Sequence, residues 1–295
     1  MRTSSGTVVL PCLAITMSVA LLSASERAPR QVFRATTAGV SVDVTVRQGK
    51  TPVTGLKSEQ FVLTDNGVRQ SVDAVSIESV PVDLTLIIDA SSSTATTIER
   101  FKANAEQIAS MLRGQDRVRL VAISTEVTEV FSLRAAGERL PVARLTSRGA
   151  TSLHDALLLS LVRTADSTRR QLVIVFSDGW DTSSVTSGST LAAVAARSDS
   201  VLHLVLAGST ATLPSTASSL GAAAESTGGA LHLPGEFNDA VGAFRRVFED
   251  FRRSYVLQYT LKGVEPSGWH DIAVRVQVPG SERYTVRSKR GYFGG

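Results

Sequence analysis

Four short runs of the chain are apolar almost without interruption: Leu84-Thr85-Leu86-Ile87-Ile88, Val118-Arg119-Leu120-Val121-Ala122-Ile123, Leu172-Val173-Ile174-Val175-Phe176 and Val201-Leu202-His203-Leu204-Val205-Leu206. A strand with one face in water alternates polar and apolar residues, so runs this continuous predict strands covered on both faces. Stretches with apolar residues at helical spacing lie between and after them, at Thr97 to Leu112, Ser152 to Thr164, Thr190 to Ser198, Ala217 to Thr227 and Asn238 to Arg253. Thr96 followed by Glu99 predicts a capping box at the start of the first. Strand and helix in alternation narrow the fold to an α/β domain over residues 81–254, with a mostly parallel, doubly wound sheet and right-handed crossovers. A hydrophobic content of 43% is enough to fill the core of such a domain.

The flanks have a different texture. Over residues 31–79, Val40, Val42, Val44 and Val46 alternate with smaller or polar residues, Gly49 and Pro52 punctuate, and Phe61-Val62-Leu63 runs into Asp65-Asn66-Gly67, a strong hairpin signal. Over residues 255–295 strand character returns in Tyr255-Val256-Leu257-Gln258-Tyr259, in Ile272 to Val278 and in Tyr284-Thr285-Val286. Pro279-Gly280 separates the last two, which are therefore expected to pair as a hairpin. Neither flank has enough strands for a core of its own. The two are expected to pack together as one small split β-sandwich, with the α/β domain inserted between them.

In an open α/β sheet, ligands bind in the crevice beyond the carboxyl ends of the strands. The first buried run continues as Asp89-Ala90-Ser91-Ser92-Ser93, which places Asp89, Ser91 and Ser93 on the loop entering the first helix. Thr151, in Gly149-Ala150-Thr151-Ser152, precedes the second helix, and Asp178 follows the strand that ends Phe176-Ser177. All five oxygen-bearing side chains are expected at one crevice. Ser, Thr and Asp also serve as helix caps and turn residues in any α/β loop, which is the competing reading for Ser93, Thr151 and Asp181.

These residues resemble the metal-ion-dependent adhesion site of the von Willebrand factor type A family, whose pattern is Asp-x-Ser-x-Ser, a distant Thr and a distant Asp, here at 89–93, 151 and 178. The likeness includes the Gly-x-Thr-Ser-Leu turn at 149–153 and the Phe-Ser-Asp-Gly strand end at 176–179. It extends to the flanks. Ser41 to Val46, Pro52-Val53-Thr54-Gly55-Leu56 with Phe61, and Arg290-Gly291-Tyr292-Phe293 resemble the von Willebrand factor type A-related family of exported bacterial proteins. The resemblance implies a divalent ion, Mg²⁺ with Mn²⁺ and Ca²⁺ as alternatives, held by Asp89, Ser91, Ser93, Thr151 and Asp178. Mg²⁺ takes a near-octahedral set of oxygens, and hydroxyls with only two carboxylates leave a position for an Asp or Glu of a protein partner. The function implied is an adhesion or protein-interaction module and not an enzyme. Thr94 stands where many relatives carry Met, and no Asp pair follows it, so an adjacent second metal site is not expected.

Residues 1–25 read as a secretory signal peptide, with Arg2, the apolar run Val8 to Ala24, and then Ser25-Glu26-Arg27-Ala28-Pro29-Arg30. Cleavage is expected after Ser25, with Ala24 and Ala28 as alternatives. A retained anchor is the competing reading, but the run contains Pro11 and is shorter than the ~20 residues a bilayer requires. The expected destination is the periplasm or the cell surface, with no membrane span left after cleavage. Cys12 is the only cysteine and sits mid-run, which disfavours a lipid anchor and leaves the mature chain without disulfides.

The formal charge of +4 is dispersed, and Arg169-Arg170, Arg245-Arg246 and Arg252-Arg253 come without stacking aromatics, so no nucleic-acid partner is expected. His154, His203, His232 and His270 are scattered, and only His154 is expected near the crevice. Trp180 is expected either as an exposed contact at the rim or as a cover for its loop. Two other functions stay open. One is a metal-dependent hydrolase with Asp89 as nucleophile, although Ser91 stands where aspartyl-phosphate hydrolases carry a second Asp, and no nucleophile elbow or P-loop is present. The other is a metal-free structural component of an envelope complex.

Overall fold

The change of texture along the chain becomes a change of layer. The computed structural model describes residues 39–77, 80–163, 165–166, 168–208, 213–236 and 239–294. The leader expected at residues 1–25, with Cys12 inside it, lies outside the described residues. The first flank forms β1 (Gly39–Gln48), β2 (Thr51–Pro52), β3 (Phe61–Asp65), β4 (Val68–Gln70) and β5 (Val72–Ile77). The central stretch runs β6 (Val82–Asp89), α1 (Ala95–Ser110), β7 (Arg117–Ile123), β8 (Val127–Ala135), α2 (Leu153–Leu161), β9 (Arg170–Ser177), α3 (Gly188–Arg197), β10 (Ser200–Leu206), α4 (Ala217–Ser226), β11 (Ala230–His232) and α5 (Ala240–Arg252). The last flank gives β12 (Tyr255–Thr260), β13 (Gly268–Val276), β14 (Tyr284–Ser288) and β15 (Gly291–Gly294).

The four apolar runs are the four inner strands of a sheet ordered β11-β10-β9-β6-β7-β8. Every residue of β6 and β10 is buried, because helices cover both faces. Ile98, Phe101, Ala105 and Ile108 of α1 and Phe244, Val247, Phe248 and Phe251 of α5 pack on one face. Leu153 and Leu157 of α2, Leu191 of α3 and Leu220 of α4 pack on the other. All pairings are parallel except β7 with β8. The edge strands β8 and β11 are too polar or too short to register as apolar runs. The expected capping box is absent: α1 begins at Ala95, so Thr96 lies inside the helix, and Glu99 instead pairs with Lys102 at 2.8 Å.

The flanks interleave into a two-sheet sandwich, with β14-β1-β12-β5 plus β2 in one sheet and β15-β13-β3-β4 in the other. Their inward residues, Val42, Val44, Val46, Phe61, Leu63, Tyr255, Leu257, Tyr259, Ile272 and Val274, form one core. The Asn66-Gly67 turn joins β3 to β4 with both residues at positive φ (47° and 78°), the conformation a two-residue hairpin needs. The expected hairpin between β13 and β14 does not form. Both edges of β13 are taken, by β3 and β15, and the chain crosses through a short turn at Ser281–Arg283 to pair β14 with the edge of β1.

The α/β layer leaves from the end of β5 and returns through β12, and these strands are neighbours, with Ile77 opposite Tyr255. Two arginines tie the layers together. Arg170, at the start of β9, donates to Asp43 of β1 at 2.7 Å and to Ser254 at 2.5 Å while lying over the Phe251 ring, and Arg47 of β1 pairs with Asp250 of α5.

Candidate metal-ion site

The chain passes from β6 to β7 on one side and reaches β9 and β10 on the other, so the carboxyl ends of β6 and β9 flank the point where the strand order reverses. Crevices at such points are where α/β sheets bind ligands. Asp89 is the last residue of β6, fully buried, and Asp178 lies one residue past β9.

Asp89 accepts the Ser91 N–H on Oδ1 at 2.9 Å and the Ser177 hydroxyl on Oδ2 at 2.6 Å. Ser91 Oγ lies 3.1 Å from Ser93 Oγ, and Ser93 Oγ donates to Asp178 Oδ2 at 2.7 Å. Asp178 Oδ1 accepts the Trp180 N–H at 3.1 Å. Thr151 is almost fully buried, and its loop is docked on the first one: Arg148 N–H donates to Ala90 O at 2.8 Å and Ser92 N–H to Gly149 O at 3.1 Å. Its hydroxyl makes no hydrogen bond to any described residue. Asp89, Ser91, Ser93 and Asp178 are thus joined by direct hydrogen bonds, and Thr151 is brought alongside through its backbone.

Burial pushes the Asp89 carboxyl above the usual carboxylate range; hydrogen bonds from Ser177 and Ser91 pull it back, and the nearby Asp178 charge pushes it up again. Among the described residues, no arginine or lysine hydrogen bonds to either carboxylate. Two carboxylates close together, one of them desolvated, are a setting that a cation relieves. Among the described residues no group of three or more His, Cys, Asp or Glu converges anywhere, so a divalent ion held here would depend on the hydroxyls. The donor set is all oxygen, which fits Mg²⁺ or Mn²⁺, and the unpartnered Thr151 hydroxyl fits the same role.

The backbone around Asp178 allows little choice of sequence. Gly179 sits at φ 83°, and a Cβ there would lie 2.8 Å from Pro214 Cγ and 2.9 Å from Leu206 Cδ2. Trp180 beside it is 43% exposed. Asp181 serves as a cap, accepting the His154 N–H at the start of α2 at 2.7 Å, and His154 Nδ1 faces Thr186 O at 3.2 Å. Ser93 is exposed and Asp178 half-buried, so the site meets solvent on their side, at the carboxyl ends of β6 and β9. A cleft of about 630 Å³ between α1 and α5, floored by Phe176, Val205 and Leu206, touches none of the five residues.

Ser177 has a role the sequence reading missed, and so has Ser147, whose hydroxyl donates to Ser91 O. A serine closing an otherwise apolar buried strand is a signal that could have found the first. Ser93 caps no helix, since α1 has Thr94 at its N-cap position, and the Thr94 hydroxyl is used up on Asp89 O at 2.7 Å and Ser91 O at 3.0 Å.

Residues 83–224 match the family model of the von Willebrand factor type A domain. The chain carries a von Willebrand factor type A domain. Domains of this family are protein-interaction modules. The chain is similar in structure to a von Willebrand factor type A protein from Catenulispora acidiphila, at 13% identity and a TM-score of 0.50, over 84% of this chain and 72% of that one. It is also similar to the ArnB paralog VWA2 from Sulfolobus acidocaldarius, at 11% identity and a TM-score of 0.49, over 85% and 75% of the two chains. A third similar structure is proximal thread matrix protein 1 from the mussel byssus, with a zinc-occupied MIDAS motif, at 14% identity and a TM-score of 0.49, over 63% and 49%. At these identities the likeness concerns the fold alone. No curated protein matches the sequence. Among the described residues, no helix is long and apolar enough to cross a membrane.

Proposed function

We propose that Asp89, Ser91, Ser93, Thr151 and Asp178 hold a divalent ion, Mg²⁺ by preference, and that the protein uses this site to grip an acidic side chain of a protein partner. The observation that carries this reading is the chain of hydroxyls from Ser91 through Ser93 to Asp178, set beside a buried Asp89 at the reversal point of the sheet. The bound ion supplies a coordination position open to an incoming carboxylate. Two carboxylates and three hydroxyls are five oxygens for an ion that takes about six, which leaves a place for an Asp or Glu from outside.

The nucleophile reading of Asp89 finds no support in its surroundings. The side chain is fully buried, and both carboxylate oxygens accept hydrogen bonds, from Ser91 N–H and the Ser177 hydroxyl. Export to the periplasm or cell surface belongs to the same proposal and rests on residues 1–25. N-terminal sequencing of the protein recovered from cells tests it, with Glu26 as the expected first residue.

Titration calorimetry with Mg²⁺ and Mn²⁺ tests the site. The wild-type chain is expected to take up one ion, and Asp178→Ala and Ser93→Ala to weaken uptake by about tenfold or more. No uptake by the wild type would favour the metal-free structural role. Where the wild type does take up an ion, partners captured from an envelope extract should be lost when a chelator is added.

A further inference from the structure

Thr151 and Asp178 reach the site on loops from different parts of the sheet, and the segments 151–155 and 181–186 are joined along their length. Thr182 donates its N–H to Thr151 O and accepts the Thr151 N–H on Oγ1, both at 2.9 Å, and Ser183 N–H donates to the same carbonyl at 3.0 Å. Beyond them two carboxylates are exchanged. Asp181 reaches across to the His154 N–H at 2.7 Å and closes its own loop on the Ser184 N–H at 3.0 Å. Asp155 reaches back to the Val185 N–H at 3.1 Å and the Thr186 N–H at 2.9 Å, while its own N–H donates to Ser184 Oγ at 3.1 Å. None of these bonds uses a side-chain oxygen of the five site residues. Among the described residues the Thr151 hydroxyl has no hydrogen-bond partner, while its backbone is fixed by Thr182 on both its N–H and its carbonyl.

We propose that Thr182, Asp181 and Asp155 are positioning residues, which set how tightly a divalent cation is held by fixing Thr151 relative to the loop that carries Asp178. This inference rests on the reading above that those two residues help to hold an ion. Mg²⁺ tolerates little departure from its preferred geometry, so a set of ligands spread over three loops binds well only if the loops are already in place. The first loop is held by its own bonds to 147–149. Thr182, Asp181 and Asp155 make most of the bonds that register the second loop against the third, beside those of Ser183 to Thr151 O and to the Ser152 hydroxyl and that of His154 to Thr186 O.

The test uses the full chain, with Mg²⁺ titration calorimetry and the Mn²⁺ paramagnetic resonance spectrum as readouts. Thr182→Val keeps the size of the side chain and removes the acceptor for Thr151 N–H, Thr182→Ser restores it, and Asp181→Ala removes the cap. Unfolding midpoints in excess chelator report stability separately. The expected result is a Mg²⁺ dissociation constant raised about 10- to 100-fold in Thr182→Val and Asp181→Ala, with wild-type affinity and a wild-type Mn²⁺ spectrum recovered in Thr182→Ser. If Asp181→Ala does not fold, the Thr182 pair decides. Wild-type affinity in a folded Thr182→Val, or equal weakening in Thr182→Ser, overturns the positioning role while leaving the ion site standing. A wild-type chain that takes up neither ion overturns both.

Discussion

The centre of the sandwich offers a sharp test of the packing argument. Asp65 is fully buried at the end of β3, and its Oδ2 accepts the Tyr259 hydroxyl at 2.6 Å and the Tyr292 hydroxyl at 3.1 Å, while Oδ1 faces His270 Nδ1 at 2.7 Å. Burial pushes the Tyr259 phenol well above its usual value, and its bonds to Asp65 and Tyr292 add to that, so it stays a donor. The Tyr292 phenol is raised to about 12 by burial. Tyr259→Phe removes one donor from a desolvated acceptor and leaves the ring in place. A hydrogen bond to a charged group contributes about 1.5–3 kcal/mol, and the surviving Tyr292 bond to the same oxygen argues for the middle of that range, about 2 kcal/mol.

At about 2–4 °C per kcal/mol for a chain of this size, the unfolding temperature should drop by about 4–8 °C. Urea unfolding followed by tryptophan fluorescence reads the sandwich directly if Trp180 is first replaced by Phe, because Trp269 on β13 is the other of the two tryptophans. Tyr292→Phe, with the longer bond and a half-buried ring, should cost less. The double variant should cost more than the sum, since Oδ2 then loses both donors. A Tyr259→Phe midpoint indistinguishable from wild type, or a larger loss in Tyr292→Phe, would refute the reasoning.

Acid should weaken the fold through two histidines. Burial holds His203 well below the ordinary value of 6.5, and His232, stacked on it with centroids 5.4 Å apart, is lowered by burial despite Glu236; Arg287 also disfavours charge on both, and Asp250 favours it on His232. The unfolded chain then binds protons that the folded one excludes as pH falls below about 6.5. Stability is therefore complete above that pH and declines below it by about 1.4 kcal/mol per pH unit for each excluded proton. Urea midpoints between about pH 7.5 and 5.5 should show this decline, and His203→Leu should flatten it. Two glycines should respond in opposite directions. A Cβ at Gly229 would lie 1.8 Å from the Leu202 carbonyl oxygen, so Gly229→Ala should cost about 3 kcal/mol or more, whereas Gly221 in α4 has its nearest neighbours at 3.6 Å and Gly221→Ala should gain about 0.5–1 kcal/mol in the same denaturation assay.

The inner strands and the helices of the α/β layer were legible because double burial leaves a continuous apolar run, a signal that needs no knowledge of neighbours. The edges β8 and β11 were not, since an edge strand is covered by fewer neighbours and carries mixed residues such as Glu129 and Arg134. Pro279-Gly280 marked a real break, but a break does not say which sheet edge is open to the strand beyond it, and β13 had already filled both of its own. At the site, Asp89, Ser91, Ser93 and Asp178 lie at or just beyond strand ends and Thr151 just before a helix, places that local pattern announces. The side chains of Thr182, Asp155 and Ser177 act on partners 30–88 residues away, and no local spacing encodes such a bond. The same limit explains Thr96, which local spacing offered as a cap although the helix begins one residue before it.

Ile77 and Tyr255 face each other across one strand pair, so the inserted layer leaves its host and comes back at a gap of about 5 Å. A guest whose two ends meet can be lengthened, shortened or exchanged for another without prising the host apart. The sandwich is in that sense a socket, and the α/β layer is a guest seated in it at a single seam.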